Sequence, residues 1–292
     1  MNNKIMFLFL VSFLLILGVN TQAQQQNPIE IIKKTCVFIG ELNQKGEPEY
    51  YGTGFLVEIS GRLHLVTAKH VVMENINGHF TGKMIDSTYQ VFFNKKDKSL
   101  GWHSLNEIKN YFNVKWIFHK NPNVDIAIIP FGADTLQDDM ISIPEDFFMT
   151  SERLYELYSV YFLSYQPGLQ LKTKINPIFR SGTISLKNDD KTFYIDAFAF
   201  PGNSGSPVFL TPSSMRFDNP GVLNIGDPLS HKFIGVIGEY LPYQDVAISV
   251  QTKRPRVVFE ENTGLAKVWS IEYLNEITQS TEFKNQINRL LK

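Results

Sequence analysis

Cysteine is nearly absent: the 292 residues hold one, Cys36. No intrachain disulfide can form and no thiolate metal cluster can be built. An excess of either charge is lacking too, with 28 Lys+Arg against 29 Asp+Glu and a formal net charge of −1. That balance argues against a chain organised around nucleic acid, whose phosphates call for a basic surface. The 19 glycines and 14 prolines follow no three-residue period, which excludes a collagen-like or low-complexity chain. No self-similarity over roughly 20–50 residues is visible, so a solenoid or propeller is not expected. A Gly-rich phosphate loop and a dinucleotide fingerprint are both missing. His64, His79, His103, His119 and His231 lack ligand spacing, so neither a metal nor a cofactor is expected.

What is present is enough apolar mass for a core: 43% of residues are hydrophobic and 13% aromatic, against 20% charged, which excludes intrinsic disorder. One apolar run stands apart. Lys4 is followed by Ile5 to Val19, broken only by Ser12 and Gly18, and then by Thr21-Gln22-Ala23. The run is shorter than the ~20 residues that span a bilayer, and a small-x-small site follows it. Residues 1–23 therefore read as a signal peptide, with a mature chain from near Gln24. A periplasmic or secreted location follows, with no membrane span after signal removal. Cys36 lies too far past the run to be a lipidation site.

The body alternates short apolar segments with turn residues, a β signal. Thr35–Ile39, Gly54–Ile59, Leu63–Thr67, Tyr89–Phe93, Val114–Phe118 and Ala127–Phe131 form one group of expected strands. Ser159–Ser164, Ile178–Ile184, Thr192–Ala197, Pro207–Leu210, Phe233–Gly238 and Ala247–Val250 form a second. Gly132 to about Glu156 reads as a linker between them. From Ser270 to Leu291, apolar residues recur at near-helical spacing and predict one or two amphipathic helices. The expected fold class is all-β: two packed antiparallel β-barrels with a C-terminal α-helix. The expected boundaries are a signal peptide over 1–23, barrels over 24–145 and 146–266, and a helical segment over 267–292. Glu74–Ser87 and Thr211–Lys232 are left as long loops beside the cleft.

Three segments carry candidate chemistry. In Phe200-Pro201-Gly202-Asn203-Ser204-Gly205-Ser206-Pro207 a serine stands between glycines. A hydroxyl attacks only when held in a tight turn and deprotonated by a neighbour, and such a turn can aim the Gly202 and Ser204 N–H groups at a developing oxyanion. An ordinary Pro-Gly/Ser-Gly loop is the competing reading. In His64-Leu65-Val66-Thr67-Ala68-Lys69-His70-Val71-Val72, His70 falls just past a strand end, where a structural histidine is also common. In Asn123-Val124-Asp125-Ile126-Ala127-Ile128-Ile129-Pro130, Asp125 stands at the mouth of an apolar strand and needs a polar partner if buried. A strand cap would also explain it.

Taken together with Gly52-Thr53-Gly54-Phe55-Leu56, these segments resemble the chymotrypsin-like, or trypsin-like, serine peptidase superfamily in motif and order. A disulfide-free bacterial-type branch is the most similar. The resemblance implies His70 as general base, Asp125 as its orienting carboxylate and Ser204 as nucleophile, with an oxyanion hole at Gly202 and Ser204. It places the base of the substrate pocket at Phe198 and the opposite wall along Phe233–Tyr240, including Ile237, Gly238, Glu239 and Tyr240. With no carboxylate at Phe198, an uncharged substrate side chain is expected. Asn203 stands where digestive members carry an aspartate that pairs with a freed N-terminal amine, so activation by a second, exact N-terminal cut is not expected. Lys69 is expected to face solvent.

The function expected is a secreted or periplasmic serine endopeptidase acting on protein or peptide substrates through an acyl-enzyme. A non-proteolytic binding or regulatory module on the same fold, or an esterase-like acyl hydrolase with the same triad, are the alternatives.

Overall fold

The computed structural model describes residues 28–169, 172–213, 215–219, 222–225 and 231–291. The expected signal peptide at 1–23 lies outside them. Contacts divide the chain into Met1–Ile31 and Ile32–Lys292, and both large sheets belong to the second unit.

The first sheet uses β1 (Cys36–Leu42), β2 (Pro48–Ile59), β3 (Arg62–Thr67), β6 (Gln90–Asn94), β7 (Leu100–Ser104), β8 (Ile117–Phe118) and β9 (Ala127–Pro130), in the order β7-β6-β1-β2-β3-β9-β8. A two-residue strand, β10 (Ile143–Pro144), joins β2 in parallel. A short α1 (Pro28–Lys33) precedes β1, and between β3 and β6 lie a one-turn helix, α2 (Lys69–Val72), and a hairpin of β4 (Met73–Ile76) with β5 (His79–Met84). The second sheet closes into a six-stranded barrel of β11 (Ser159–Ser164), β12 (Ile178–Lys187), β13 (Thr192–Asp196), β18 (Pro255–Ser270), β17 (Lys232–Ile248) and β14 (Pro207–Leu210). The fold is thus mostly β, with a closed barrel, antiparallel sheets and a helical C-terminus. In the first sheet the ladder stays open. Its β7 edge gives way to helix α3 (Leu105–Phe112), whose first turn Ser104 caps by accepting from the Glu107 N–H. Its other edge, β8, is two residues long.

Three local outcomes differ from the sequence-based expectation. Glu74–Ser87 is no loop: Asn77 (φ 53°) and Gly78 (φ 81°) turn the chain as a primed two-residue hairpin connection. Thr211–Lys232 contains the paired strands β15 (Met215–Asn219) and β16 (Val222–Ile225), while residues 214, 220–221 and 226–230 are outside those described. Val114–Phe118 forms strand only at Ile117–Phe118. Its Lys115 N–H donates to Gln286 Oε1 at 3.0 Å, and Trp116 Nε1 donates to Asp86 at 2.7 Å, so side chains take the place of a ladder.

Apolar faces of the two sheets meet in one core. Phe38, Tyr50, Phe55 and Phe92 come from the first sheet, and Tyr161, Tyr165, Phe209, Phe233 and Trp269 from the second. Phe55 and Phe233 pack edge to face at 5.0 Å, an arrangement worth about 0.5–1.5 kcal/mol beyond its area. The tail folds as two helices, α4 (Ile271–Gln279) and α5 (Thr281–Leu290). Ile271, Leu274, Ile277, Phe283 and Ile287 are buried in that same core. Glu276 of α4 takes His119 Nε2 at 2.9 Å and Lys191 Nζ at 3.1 Å, one from each half of the molecule.

Candidate active site

β3 ends at Thr67 because the chain turns there into α2, and this sets His70 at the mouth between the sheets. Its ring is 30% exposed. Asp125 sits just before β9, and both of its carboxylate oxygens are used by one residue. Oδ1 accepts from the His70 backbone N–H at 2.9 Å and Oδ2 from His70 Nδ1 at 2.7 Å. An ionised carboxylate only accepts, so the ring proton is fixed on Nδ1 and Nε2 is left as the acceptor. Burial works to lower the His70 pKa. Asp125, through charge and hydrogen bond, and Glu239, through charge, work to raise it, and the net effect is upward from the ordinary value.

The serine loop is positioned from the other sheet. Gly202 (φ 94°) and Gly205 (φ 85°) hold the left-handed backbone that the turn requires. Gly205 is also closed in by Thr53 O, Thr67 Oγ1 and Ala68 N, with a Cβ there placed 2.8 Å from the last of these. The loop thereby packs directly on the segment that leads to His70. Thr53 is fully buried and joins both sheets. Its N–H donates to Ser204 O at 3.0 Å, its hydroxyl donates to Gly202 O at 2.8 Å and accepts from the Tyr165 N–H at 3.0 Å. Asn203, also fully buried, donates from Nδ2 to Tyr165 O at 2.5 Å and accepts the Phe200 N–H at 2.9 Å. Here a neutral amide stabilises the loop from within.

The backbone N–H groups then divide by partner. Those of Asn203, Gly205 and Ser206 donate to Phe200 O, Ile237 O and Asn203 O. Among the described residues the N–H groups of Gly202 and Ser204 donate to no protein acceptor. Two unused donors flanking one serine make a ready anion site. Ser204 itself is half-buried, and among the described residues no hydrogen bond joins its Oγ to His70. Loose contacts of this kind are common before substrate binds.

A cleft of about 450 Å³ opens beside His70 and Asp125, lined among others by Asn123, Phe80, Glu239 and Trp269. Of the residues placed in the substrate pocket from the sequence, Glu239 lines this cleft. Gly238 lies close to Trp269 Nε1 and Asp125 Oδ2, 2.6 and 3.7 Å from a Cβ at that position. Ile237 is buried within the second barrel. Tyr240 turns to the Glu260 carboxylate. Phe198 is exposed and stacks on Phe200 at 6.4 Å. The sequence did not single out Phe80, Asn75 or Trp269. The Asn77-Gly78 dipeptide was the available sign of the hairpin that brings in the first two.

Lys69 corrects an expectation. It does not face solvent but is 5% exposed. Its Nζ donates to Pro122 O at 3.0 Å and lies 3.9 Å from the centre of the Phe80 ring and 5.4 Å from that of Phe118. Burial pushes its pKa down and Asp125 pulls it back up, leaving it below the ordinary lysine value. Its stem fills the space under α2, so the sequence neighbour of a half-exposed residue is itself inside. His64 is likewise buried. It packs on Phe283 at 5.1 Å, and burial brings its pKa down to about 4.

Comparison with known proteins agrees with this architecture. The trypsin-like peptidase domain model matches residues 52–213, more than half of the chain. A search of curated proteins gives no match. Among solved structures, a serine endoprotease from Yersinia pestis is similar over 88% of this chain and 65% of its own, at 14% identity and a TM-score of 0.47. By the family match, which takes in the segments of His70, Asp125 and Ser204, the chain belongs to the trypsin-like peptidase domain family.

Proposed function

We propose that the protein is an exported serine endopeptidase that cleaves protein or peptide substrates by a His70–Asp125–Ser204 triad. The observation that carries this reading is a pairing of features on two segments that pack together, since Gly205 closes on Thr67 and Ala68 just before His70. A histidine has its ring tautomer fixed and its backbone held by Asp125, and on the neighbouring loop the N–H groups of Gly202 and Ser204 are unused.

In the proposed reaction Ser204 Oγ attacks the scissile carbonyl carbon as its proton passes to His70 Nε2. The oxyanion forms against the Gly202 and Ser204 N–H groups. Collapse breaks the C–N bond, and the imidazolium returns its proton to the leaving amine. Water then repeats the sequence on the Ser204 ester, giving the carboxylic acid product and free Ser204. Asp125 stabilises the imidazolium at each stage. Phe198, Gly238, Glu239 and Tyr240 are the proposed substrate-pocket residues, and the lack of a carboxylate at Phe198 supports an uncharged side chain next to the scissile bond. The proposed division is a first β half over 24–145, built on the open sheet, a second over 146–266 built on the closed barrel, and the C-terminal helical segment over 267–292. Residues 1–23 are the proposed export signal. No helix among the described residues is long and apolar enough to cross a membrane.

The test uses the purified chain with a fluorophosphonate probe and a peptide library. Probe labelling and peptide cleavage that both vanish in Ser204→Ala support the reading. Labelling without cleavage of any peptide or of casein favours an acyl hydrolase. No labelling between pH 6 and 9 leaves a binding module.

A further inference from the structure

An ammonium is costly to bury, because its hydration must be replaced by protein contacts. A leucine or methionine at position 69 would fill the same volume without that cost. The Lys69 Nζ instead meets three separate pieces of the site. It belongs to α2, one residue before His70. Its hydrogen bond at 3.0 Å goes to Pro122 O, in the turn that delivers Asp125. That turn is braced from within by the Val124 N–H on Asn121 O at 3.2 Å and the Asn123 N–H on Asn121 Oδ1 at 3.1 Å. The face of Phe80, 3.9 Å away, belongs to the β4–β5 hairpin, which lines the cleft with Asn75, Gly78 and Phe80. A cation over an aromatic face is attracted by the ring quadrupole, more strongly when desolvated.

We propose that Lys69 is a positioning residue for the reaction. Its ammonium ties the Asp125 turn to the His70 helix and latches the Phe80 hairpin as one wall of the substrate cleft. This rests on the peptidase reading above. It assigns the two contacts to different kinetic constants. The bond to Pro122 O keeps Asp125 in register with His70, which acts on kcat. The Phe80 contact fixes the cleft wall, which acts on KM.

The experiment compares Lys69→Met, Lys69→Arg and Phe80→Leu in the full chain, with thermal melting of each and kcat and KM on the best library peptide. Lys69→Met keeps the volume and removes the charge and the donor. Its kcat should fall about ten-fold, the effect of one charge-assisted hydrogen bond. Lys69→Arg keeps the charge, a donor and the affinity for an aromatic face, and should recover kcat to within roughly three-fold of wild type. Phe80→Leu should raise KM by about three-fold. A Lys69→Met enzyme with wild-type kcat overturns the proposal, as does a Lys69→Arg enzyme no better than Lys69→Met. If Lys69→Met does not fold, the other two variants decide: an unchanged KM in Phe80→Leu overturns the latch. A wild-type protein that neither labels nor cleaves overturns the peptidase reading and this proposal with it. An active wild type with indifferent Lys69 variants overturns only this one.

Discussion

Around His70 the fixing contacts are ionic: Asp125 grips the ring and backbone of His70, the Lys69 ammonium holds Pro122 O, and Glu239, reaching over from β17 of the second barrel, adds charge. On the Ser204 side the contacts are neutral, made by the Thr53 hydroxyl, the Asn203 amide and main-chain groups of Tyr165, Phe200 and Ile237. The proton-handling half therefore carries charges that shift with pH. The hydrogen bonds that hold the Ser204 loop and its two unused donors involve no charged group. A serine loop set by an amide and a hydroxyl keeps its shape at any pH the fold survives.

The largest effect should come from breaking the ionic half at its centre. Asp125→Asn keeps size and shape but lets the ring of His70 take the wrong tautomer, and kcat should fall by about 10⁴-fold. The apparent pKa governing kcat/KM should fall too. Wild-type His70 has its pKa raised, so activity is lost as pH drops through a value above the ordinary ~6.5. The stability sign is opposite. A raised folded-state pKa contributes stability that is fully present below the unfolded value and is lost as pH rises through the folded one. Wild type should lose melting temperature across the window in which it gains activity. Asp125→Asn should lose that coupling, which pH-jump kinetics and melting curves on the same samples would measure. An unchanged apparent pKa in the variant would remove Asp125 from the role given to it.

Breaking the neutral half should leave the pH profile in place. Thr53→Val is close to isosteric, yet it strands the Tyr165 N–H and the Gly202 carbonyl, both in buried surroundings. Each such group left unpaired costs about 1–3 kcal/mol. The melting temperature should fall, and kcat should fall roughly ten-fold as the two free donors lose their aim, less than deleting a donor outright. The apparent pKa should match wild type. A shift comparable to that of Asp125→Asn would mean the two halves are not separable in the way the contacts imply.

The same division decides what could be read from sequence. His70, Asp125 and Ser204 stand in short segments whose residue types are diagnostic in combination, and β3 and β11 were expected with nearly the ends they have, because their apolar runs are continuous. The Asp125–His70 contact was inferable because a carboxylate at the mouth of an apolar strand needs a partner. Thr53 stood in a motif, but its role depends on three hydrogen bonds, all to residues more than 100 positions away, which no local pattern encodes. Lys69 was misjudged for the same reason. A lysine is read as solvated until a distant carbonyl and two aromatic faces are known to surround it. The α3 helix had a visible sign in Ser104 and Glu107, and the β4–β5 hairpin in Asn77-Gly78. Both were overshadowed by polar composition. β17 runs unbroken from the expected Phe233–Gly238 into the expected Ala247–Val250, and its partner β18 was not expected as a strand, because the exposed part of this ribbon lacks the buried-face pattern by which strands are recognised.

The smallest predicted effect tests how far the ionic side reaches. Glu239 is exposed and touches His70 only through its field, so Glu239→Gln should lower the apparent pKa of kcat/KM by less than Asp125→Asn does. Because the charge faces water, salt should screen it. Wild type and variant should differ at low ionic strength and converge at high, while the Asp125→Asn shift should persist at both. Profiles taken at two salt concentrations separate the cases. A Glu239 effect that survives high salt would place its carboxylate in direct contact with the imidazolium during turnover, which would extend the fixed ionic set from Asp125 to the rim of the cleft.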